Sequence, residues 1–436
     1  MTAAARHAYT AFTMSNASTS APSASPAAAA AAPVRCKVPL TQPLRHARYR
    51  RIWLANMVSN LGTWIQAFAS AWLVASLSGS AAITSLVQTA TYVPVFLFAL
   101  LAGVVADGVH RPKFLFFCNL YIALCAAAMA VLVAAGRAAS GPVLVLTFAI
   151  GIGTAFIWPA WQAAMASLVD PSEVEAAATL NNLSYNLSAI VGPALGGMLF
   201  GWIGPGALFL ANALSFAGLL VVYWTWWREG APQQPAREGF AERFRCGLRT
   251  AFGCPRYRRI LRNVCWVFFS TIAFASLLPV FVREVLRMQS NTYGTLMGCL
   301  GGGAVLAACF LPQVRARVDK TGLLAAALAV YGAMLLAMAF SRSLLLLVPL
   351  IVCGGMAWSA TVSTLNAAAQ LSFPAEVRAR TLSIYLFVMS GGYAAGSVFW
   401  GQVAERWGVR AALGVAAACV LANAVVLATG SRTNPI

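Results

Sequence analysis

The chain has 436 residues, of which 60% are hydrophobic and only 9% charged, and its mean hydropathy is +0.75. Soluble domains carry about 25% charged and about 45–50% apolar residues, so a soluble globular enzyme and a disordered chain are both excluded. Thirty Lys and Arg against eleven Asp and Glu leave a net charge of +19, which in a soluble protein would point to nucleic acid; here the basic residues sit between long uncharged runs, and no nucleic-acid partner is expected.

Residues 1–44 are rich in Ala, Ser, Thr and Pro and read as a disordered cytoplasmic tail. The run Ala29–Ala32 is too short and too weakly apolar for a signal sequence. From Ile52 onward the pattern changes. A hydrocarbon core of about 30 Å demands about 20 apolar residues per helix. Runs at 52–76, 82–105, 114–135, 143–167, 179–203 and 206–227 meet that demand, followed by 260–282, 293–313, 322–340, 344–369, 380–403 and 408–429. The expected fold is an all-α membrane protein with twelve transmembrane helices in two pseudo-symmetric six-helix bundles, 45–227 and 260–430, with a cytoplasmic C-terminus at 431–436. Pro94, Pro159, Pro193 and Pro279 lie inside these spans, where neighbouring helices re-satisfy the freed backbone groups.

Between the bundles, 228–259 is a cytoplasmic linker. Phe240, Phe244, Leu248 and Phe252 recur every four residues among Arg243, Arg245 and Arg249. That stripe fits an amphipathic helix on the membrane surface and fits a simple linker equally well.

Orientation follows from the basic residues. The tail, the loops after even-numbered spans and the C-terminus hold 24 Lys and Arg, and the other side holds 6. Positive residues stay in the cytoplasm, so a multi-pass protein of the cell inner (cytoplasmic) membrane with both termini cytoplasmic is expected, touching anionic lipids of the inner leaflet. A monomer is expected. The ten cysteines form no Cys-x-x-Cys pair, and His7, His46 and His110 lie outside the apolar runs; no metal and no cofactor are expected.

The two halves repeat each other. Arg48-Tyr49-Arg50-Arg51-Ile52 opens span 1 and Arg256-Tyr257-Arg258-Arg259-Ile260 opens span 7, an offset of 208. Pro171-x-Glu173-Val174-x-Ala176 matches Pro374-x-Glu376-Val377-x-Ala379 at an offset of 203. Parallel six-span halves about an axis along the membrane normal are the architecture of major facilitator transporters.

Local motifs carry a resemblance to that superfamily. Gly103-Val-Val-Ala-Asp107-Gly-Val-His-Arg111-Pro-Lys113 resembles its signature loop after span 2, and Gly192-Pro193-Ala194-Leu195-Gly196-Gly197 resembles the antiporter motif of its drug-efflux branches. Asn60-Leu-Gly62-Thr63-Trp64-Ile-Gln66, Trp158-Pro159-Ala160-Trp161-Gln162-Ala163, Leu180-Asn181…Asn186 and Asn212-Ala-Leu-Ser215-Phe216 are similar to the enterobactin-exporter-type branch. The match is dense from 48 to 225 and thin beyond it. The chain departs from the pattern at Gly108 and Ala189, where basic residues are usual, and span 4 lacks the Arg of many drug/proton antiporters.

The resemblance implies that Gly103, Asp107, Arg111 and Lys113 form a conformational latch, with Asp107 opposite the start of span 11 near Arg380. It also implies that Gly192, Pro193, Gly196 and Gly197 pack helices closely and seal against leak. All eleven acids lie in loops or at helix ends, whereas ionisable residues within a membrane mark ion paths. Proton coupling therefore lacks its usual carrier, although a proton is still the candidate coupling ion. An enzyme is not expected, and no catalytic residues are assigned.

The substrate path is then expected from neutral polar and aromatic groups: Asn56, Asn60, Thr63 and Trp64 on span 1; Trp158, Trp161 and Gln162 on span 4; Thr361, Thr364 and Asn366 on span 10; and Tyr385 on span 11. Each is also open to a plain role as an interhelical hydrogen bond, worth about 0.6 kcal/mol. The expectation is a secondary transporter that exports a small organic compound, siderophore-like or drug-like, by alternating access. A lysophospholipid or lipid flippase and a non-transporting membrane sensor are the alternatives.

Overall fold

The computed structural model describes residues 39–230, 253–373 and 375–430, and among these every regular element is helical. In chain order α1 is Ala47–Ser78, α2 Ala81–Gly108, α3 Arg111–Ala134 and α4 Ser140–Ala166. The next helix, Val174–Arg228, runs for 55 residues, about 80 Å if straight and far longer than a bilayer requires. Gly204 interrupts it with φ +75°, a conformation open to glycine without steric cost, and Pro205 follows. The two arms, 174–203 and 205–228, are α5 and α6.

The second half mirrors the first. α7 is Pro255–Val280, closing in a π turn at Phe281–Val285; α8 is Ser290–Arg315, α9 Lys320–Phe340, α10 Leu344–Gln370, α11 Ala375–Trp407 and α12 Val409–Gly430. Ten continuous helices among the described residues are long and apolar enough to cross a membrane, the kinked one counting once. α1 falls outside that set because Asn56, Asn60, Thr63 and Gln66 dilute it. With the kinked helix counted twice and α1 added, there are twelve spans, and Pro94, Pro159, Pro193 and Pro279 sit inside continuous helices.

The packing repeats with the sequence. Within the first half α1 lies along α5, α2 along α4 and α3 along α6; within the second, α7 lies along α11, α8 along α10 and α9 along α12. The repeated tyrosine does the same work twice. Tyr49 donates to the carbonyl of Ala177 at 3.0 Å, and Tyr257 donates to the carbonyl of Thr381 at 2.5 Å. Both are fully buried, so each ties the first helix of its half to the fifth, where an unpaired phenol would cost about 1–3 kcal/mol.

The tail ends earlier than the sequence suggests. Gln42–Arg45 forms a 3-10 turn with Pro43 at its start, φ already fixed and the ring buried. His46 then hydrogen-bonds Glu173 at 2.7 Å, pinning the turn to the α4–α5 loop. Residues 1–38 and the amphipathic stripe Phe240, Phe244, Leu248 and Phe252 lie outside the described residues; at the edges of the linker, α6 runs on to Arg228 and α7 begins at Pro255.

Candidate functional site

The site is defined by how the two halves meet. α2 lies along α11 and α5 along α8, and the described contacts of α2 run from Ser80 to Phe96. At the loop end, opposite the termini, Glu405 accepts from the Ser80 hydroxyl at 2.9 Å and from the Ala82 amide at 3.2 Å. Arg283 donates to the Ala75 carbonyl. A carboxylate thus meets the start of α2 and a guanidinium the end of α1, each facing the favourable pole of the helix dipole. Deeper, Thr89 and Ser397 share a hydrogen bond of 2.7 Å, and Tyr92 stacks on Tyr393 and Phe96 on Phe387 with centroids 4.3 Å apart in both pairs.

The α5–α8 seam is tighter still. A Cβ on Gly197 would sit 2.7 Å from the Ser290 carbonyl oxygen and 2.8 Å from the Gly294 Cα. Backbone meets backbone there. Beside it Tyr293 stacks on Phe68 at 4.6 Å and on Trp72 at 5.8 Å. The other two glycines of the motif face α1: a Cβ on Gly192 would meet the Trp64 Cβ, and one on Gly196 would lie 2.9 Å from the Phe68 ring.

Beneath this closed end, in the interior, Tyr185 of α5 lies edge-on to Trp64 of α1 at 5.7 Å and to Trp158 of α4 at 6.1 Å. Tyr185 is also within electrostatic reach of Tyr92 and Tyr393, the pair stacked across the halves. Yet Tyr185 keeps 40% and Trp158 39% of their surfaces accessible. An accessible face deep in the molecule is what a cavity wall presents. On the opposite half Trp358 of α10 is partly accessible and packs on Phe268 at 5.6 Å and Tyr331 at 5.9 Å.

A twelve-helix bundle of two like halves, meeting at one end over an aromatic wall, narrows the family, and the sequence decides it: the family described as transmembrane secretion effector matches residues 39–433. The chain belongs to the transmembrane secretion effector family, within the major facilitator superfamily. Among curated relatives this chain is 25% identical to the multidrug efflux pump Tap of Mycolicibacterium fortuitum, over 83% of this chain and 90% of the pump. It is 22% identical to the staphyloferrin A transporter of Staphylococcus aureus, over 67% of this chain and 74% of that transporter. In fold it is similar to the nucleoside transporter NupG, with a TM-score of 0.72 and 12% identity over 88% of this chain and 99% of NupG.

The residues expected from the sequence fall into separate groups. Trp64 and Trp158 share the wall just described, and Gln162 is exposed one turn beyond Trp158. Asn56 donates to Asn181 of α5 at 3.4 Å, and Thr63 donates to the carbonyl of Ser59 in its own helix. Asn60 is half-buried beside them. Trp161 points into the core of the first bundle, where it clusters with Tyr49, Leu115 and Phe216. Across the molecule Thr364 accepts from Arg315 at 3.5 Å, and Asn366 accepts from Gln370 at 3.0 Å. Thr361 and Tyr385 are buried, and their hydroxyls, like the Trp161 indole N–H, have no hydrogen-bond partner among the described residues.

In the latch loop, Lys113 sits over the Trp227 ring at 5.2 Å and Arg111 is engaged by a neighbour. The side chain of Asp107 lies outside what the structure describes, as do those of Arg380 and its neighbours.

Sequence reasoning missed Tyr185 of the wall, Tyr92 of the stack across the halves, and Trp358 on the opposite half. Each sits in an apolar run where an aromatic residue reads as ordinary core, although polar neighbours flank all three: Asn181 and Asn186 about Tyr185, Thr89 and Thr91 before Tyr92, Ser359 and Thr361 after Trp358. A second omission is at the terminus end. His46, Asp170 and Glu173 bring ligand atoms within 4.8 Å of one another; the His46–Glu173 hydrogen bond accounts for two of the three as a lock on the 3-10 turn.

Proposed function

We propose that this protein exports a small aromatic or amphipathic organic compound, carried past the wall formed by Trp64, Trp158 and Tyr185. The observation that carries the reading is the accessible aromatic face in the interior, between two halves joined at one end. Aromatic faces and unpaired hydroxyls bind flat or amphipathic molecules. Among the described residues the acids lie in loops or near helix ends, which disfavours a mid-depth carboxylate as the main handle. Thr361 and Tyr385 offer hydroxyls that a bound compound or water would satisfy. The names of the curated relatives, a multidrug efflux pump and a staphyloferrin A transporter, support transport of a small organic compound, and the first supports export.

The 24-to-6 basic bias supports cytoplasmic termini in the inner membrane. On that orientation the loop end faces outward, and the contacts from Ser80 to Phe96 describe an outward seal over a cavity that loads from the cytoplasm. Rocking the halves opens that seal and closes the terminus end. A proton gradient is the driving force we assign.

The test is efflux from proteoliposomes loaded with a fluorescent aromatic dye under an imposed pH gradient. Wild-type protein should accelerate dye loss. Trp158→Ala should raise KM about tenfold, the equivalent of about 1.4 kcal/mol of lost stacking, with a smaller effect on kcat because the closed-end contacts are untouched. An unchanged KM across several aromatic dyes overturns the assignment of this wall.

A further inference from the structure

The basic residues at the terminus end of α1 and α6 do more than set orientation. α6 ends in Tyr223-Trp224-Thr225-Trp226-Trp227-Arg228, and this end is built as an interfacial belt. Trp224 and Trp227 meet edge to face at 5.3 Å and pack on Phe116 of α3. Two cations are held by these rings: Arg228 over Trp224 at 4.7 Å and Lys113 over Trp227 at 5.2 Å. Tryptophan and basic side chains concentrate where hydrocarbon gives way to headgroups.

Beside this belt, α1 and α6 leave a cleft of about 180 Å³. That is below the roughly 300–1,000 Å³ of drug-sized pockets and suits one compact group such as a phosphodiester. Buried Trp226 and half-buried Val222 line its α6 side, and Ala47, the smallest residue at its edge, keeps the α1 side open. At the rim Arg48 is paired with Glu229, so that carboxylate is already neutralised. Arg51 also lines the cleft, is exposed and has no partner among the described residues.

The internal repeat supplies a control. Arg259 holds the position of Arg51 in the second half, and it is engaged by a neighbour. The last turns of α12, Ala424 to Gly430, carry no aromatic residue, so the belt and the free guanidinium occur together only in the first half.

We propose that this cleft binds the headgroup of one anionic phospholipid, with the phosphate on the Arg51 guanidinium and the acyl chains running along the α1–α6 groove. A guanidinium presents a fork that matches phosphate oxygens, and basic pockets between membrane helices take anionic headgroups. The indole of Trp226 gives the glycerol region an apolar floor.

Native mass spectrometry of the full chain in detergent, titrated with phosphatidylglycerol or phosphatidylcholine, tests this. Wild-type protein should retain one more phosphatidylglycerol than phosphatidylcholine. Arg51→Ala, which removes the cation, and Ala47→Trp, which fills the cleft without changing charge, should each weaken that lipid about fivefold, as expected for one basic contact near a membrane surface. Arg137→Ala, at the opposite end, should leave it unchanged. Retention by either cleft variant, or retention lost equally in Arg137→Ala, overturns the site. Displacement of the lipid by millimolar inorganic phosphate would overturn the lipid assignment in favour of a general anion site.

Discussion

Replacing Gly197 by alanine adds a single methyl group at the seam between the halves. Its carbon would lie 2.7 Å from the Ser290 carbonyl oxygen and 2.8 Å from the Gly294 Cα. Non-bonded carbons rest about 3.5–4.0 Å apart, so α5 and α8 must separate by about 0.7–1.2 Å. Neither contacting atom belongs to a side chain that can rotate away. The neighbouring Ser290–Gly197 hydrogen bond of 3.2 Å and the Phe68–Tyr293–Trp72 stack sit on the same seam and are strained with it. Overpacking of this kind costs about 1–3 kcal/mol. On the proposed alternating-access cycle the cost falls on the state described here, in which the loop end is closed and Gly197 touches Gly294. An equilibrium shift of roughly 5–150-fold toward opening at the loop end follows. The readout is the labelling rate of a single cysteine at Thr89→Cys, in a background without native cysteines, by a reagent applied from the loop side. Gly197→Ala should raise that rate by the stated factor. Gly196→Ala should change it far less, since its methyl meets Phe68 of the same half and no backbone across the seam. If the Gly197 variant inserts normally and labels at the wild-type rate, the α5–α8 contact does not discriminate between the states and the reasoning fails.

Glu405→Gln should shift the same equilibrium only about twofold, because the residue is exposed and contacts of exposed charges are worth about 0.2–1 kcal/mol; a shift above tenfold in the Thr89→Cys assay would mean the clamp dominates the seam. Asn212 donates to Gln66 inside the first bundle, both side chains being buried. Asn212→Ala strands the Gln66 amide at a cost of about 1–3 kcal/mol, seen as a lower melting temperature in detergent, and Gln66→Ala should add less than its own effect on top. Cys254, just before α7, should be shielded from an impermeant thiol reagent in intact cells and labelled in everted vesicles; labelling in intact cells would reverse the orientation.

Much of the fold is legible in the sequence because bilayer thickness fixes helix length. The twelve apolar runs coincide with the twelve spans, and the break between runs five and six falls on Gly204, the residue that kinks the helix. The paired Arg-Tyr-Arg-Arg-Ile segments mark equivalent helix starts, as the two tyrosine hydrogen bonds make plain. Contacts that depend on rotation about a helix axis were not legible. Nothing in spacing distinguishes Tyr185, which keeps an accessible face, from Tyr49, which is sealed in the core. Asn56 and Asn60 read alike as cavity groups, yet Asn56 is engaged by Asn181. Gly197 and Gly294 are far apart in sequence, and a small residue announces close packing without naming its partner. The Asp107 latch rests on a side chain outside the described residues.

The polarity of α1 has a consequence for how the chain is made. Its amides find partners only on α5 and α6: Asn56 with Asn181, 125 residues later, and Gln66 with Asn212, 146 residues later. At ribosomal rates of about 5–20 residues per second, the second partner emerges about 7–30 seconds after the first helix. During that interval a helix carrying Asn56, Asn60 and Gln66 has no protein groups to satisfy them in hydrocarbon, where each unsatisfied polar group costs several kcal/mol. The first span of this protein is therefore one that should linger at the translocon or the bilayer surface and settle only when the sixth arrives, so that in a truncation after α4 a cysteine at Asn60→Cys should stay open to a water-soluble thiol reagent, and in one after α6 it should not.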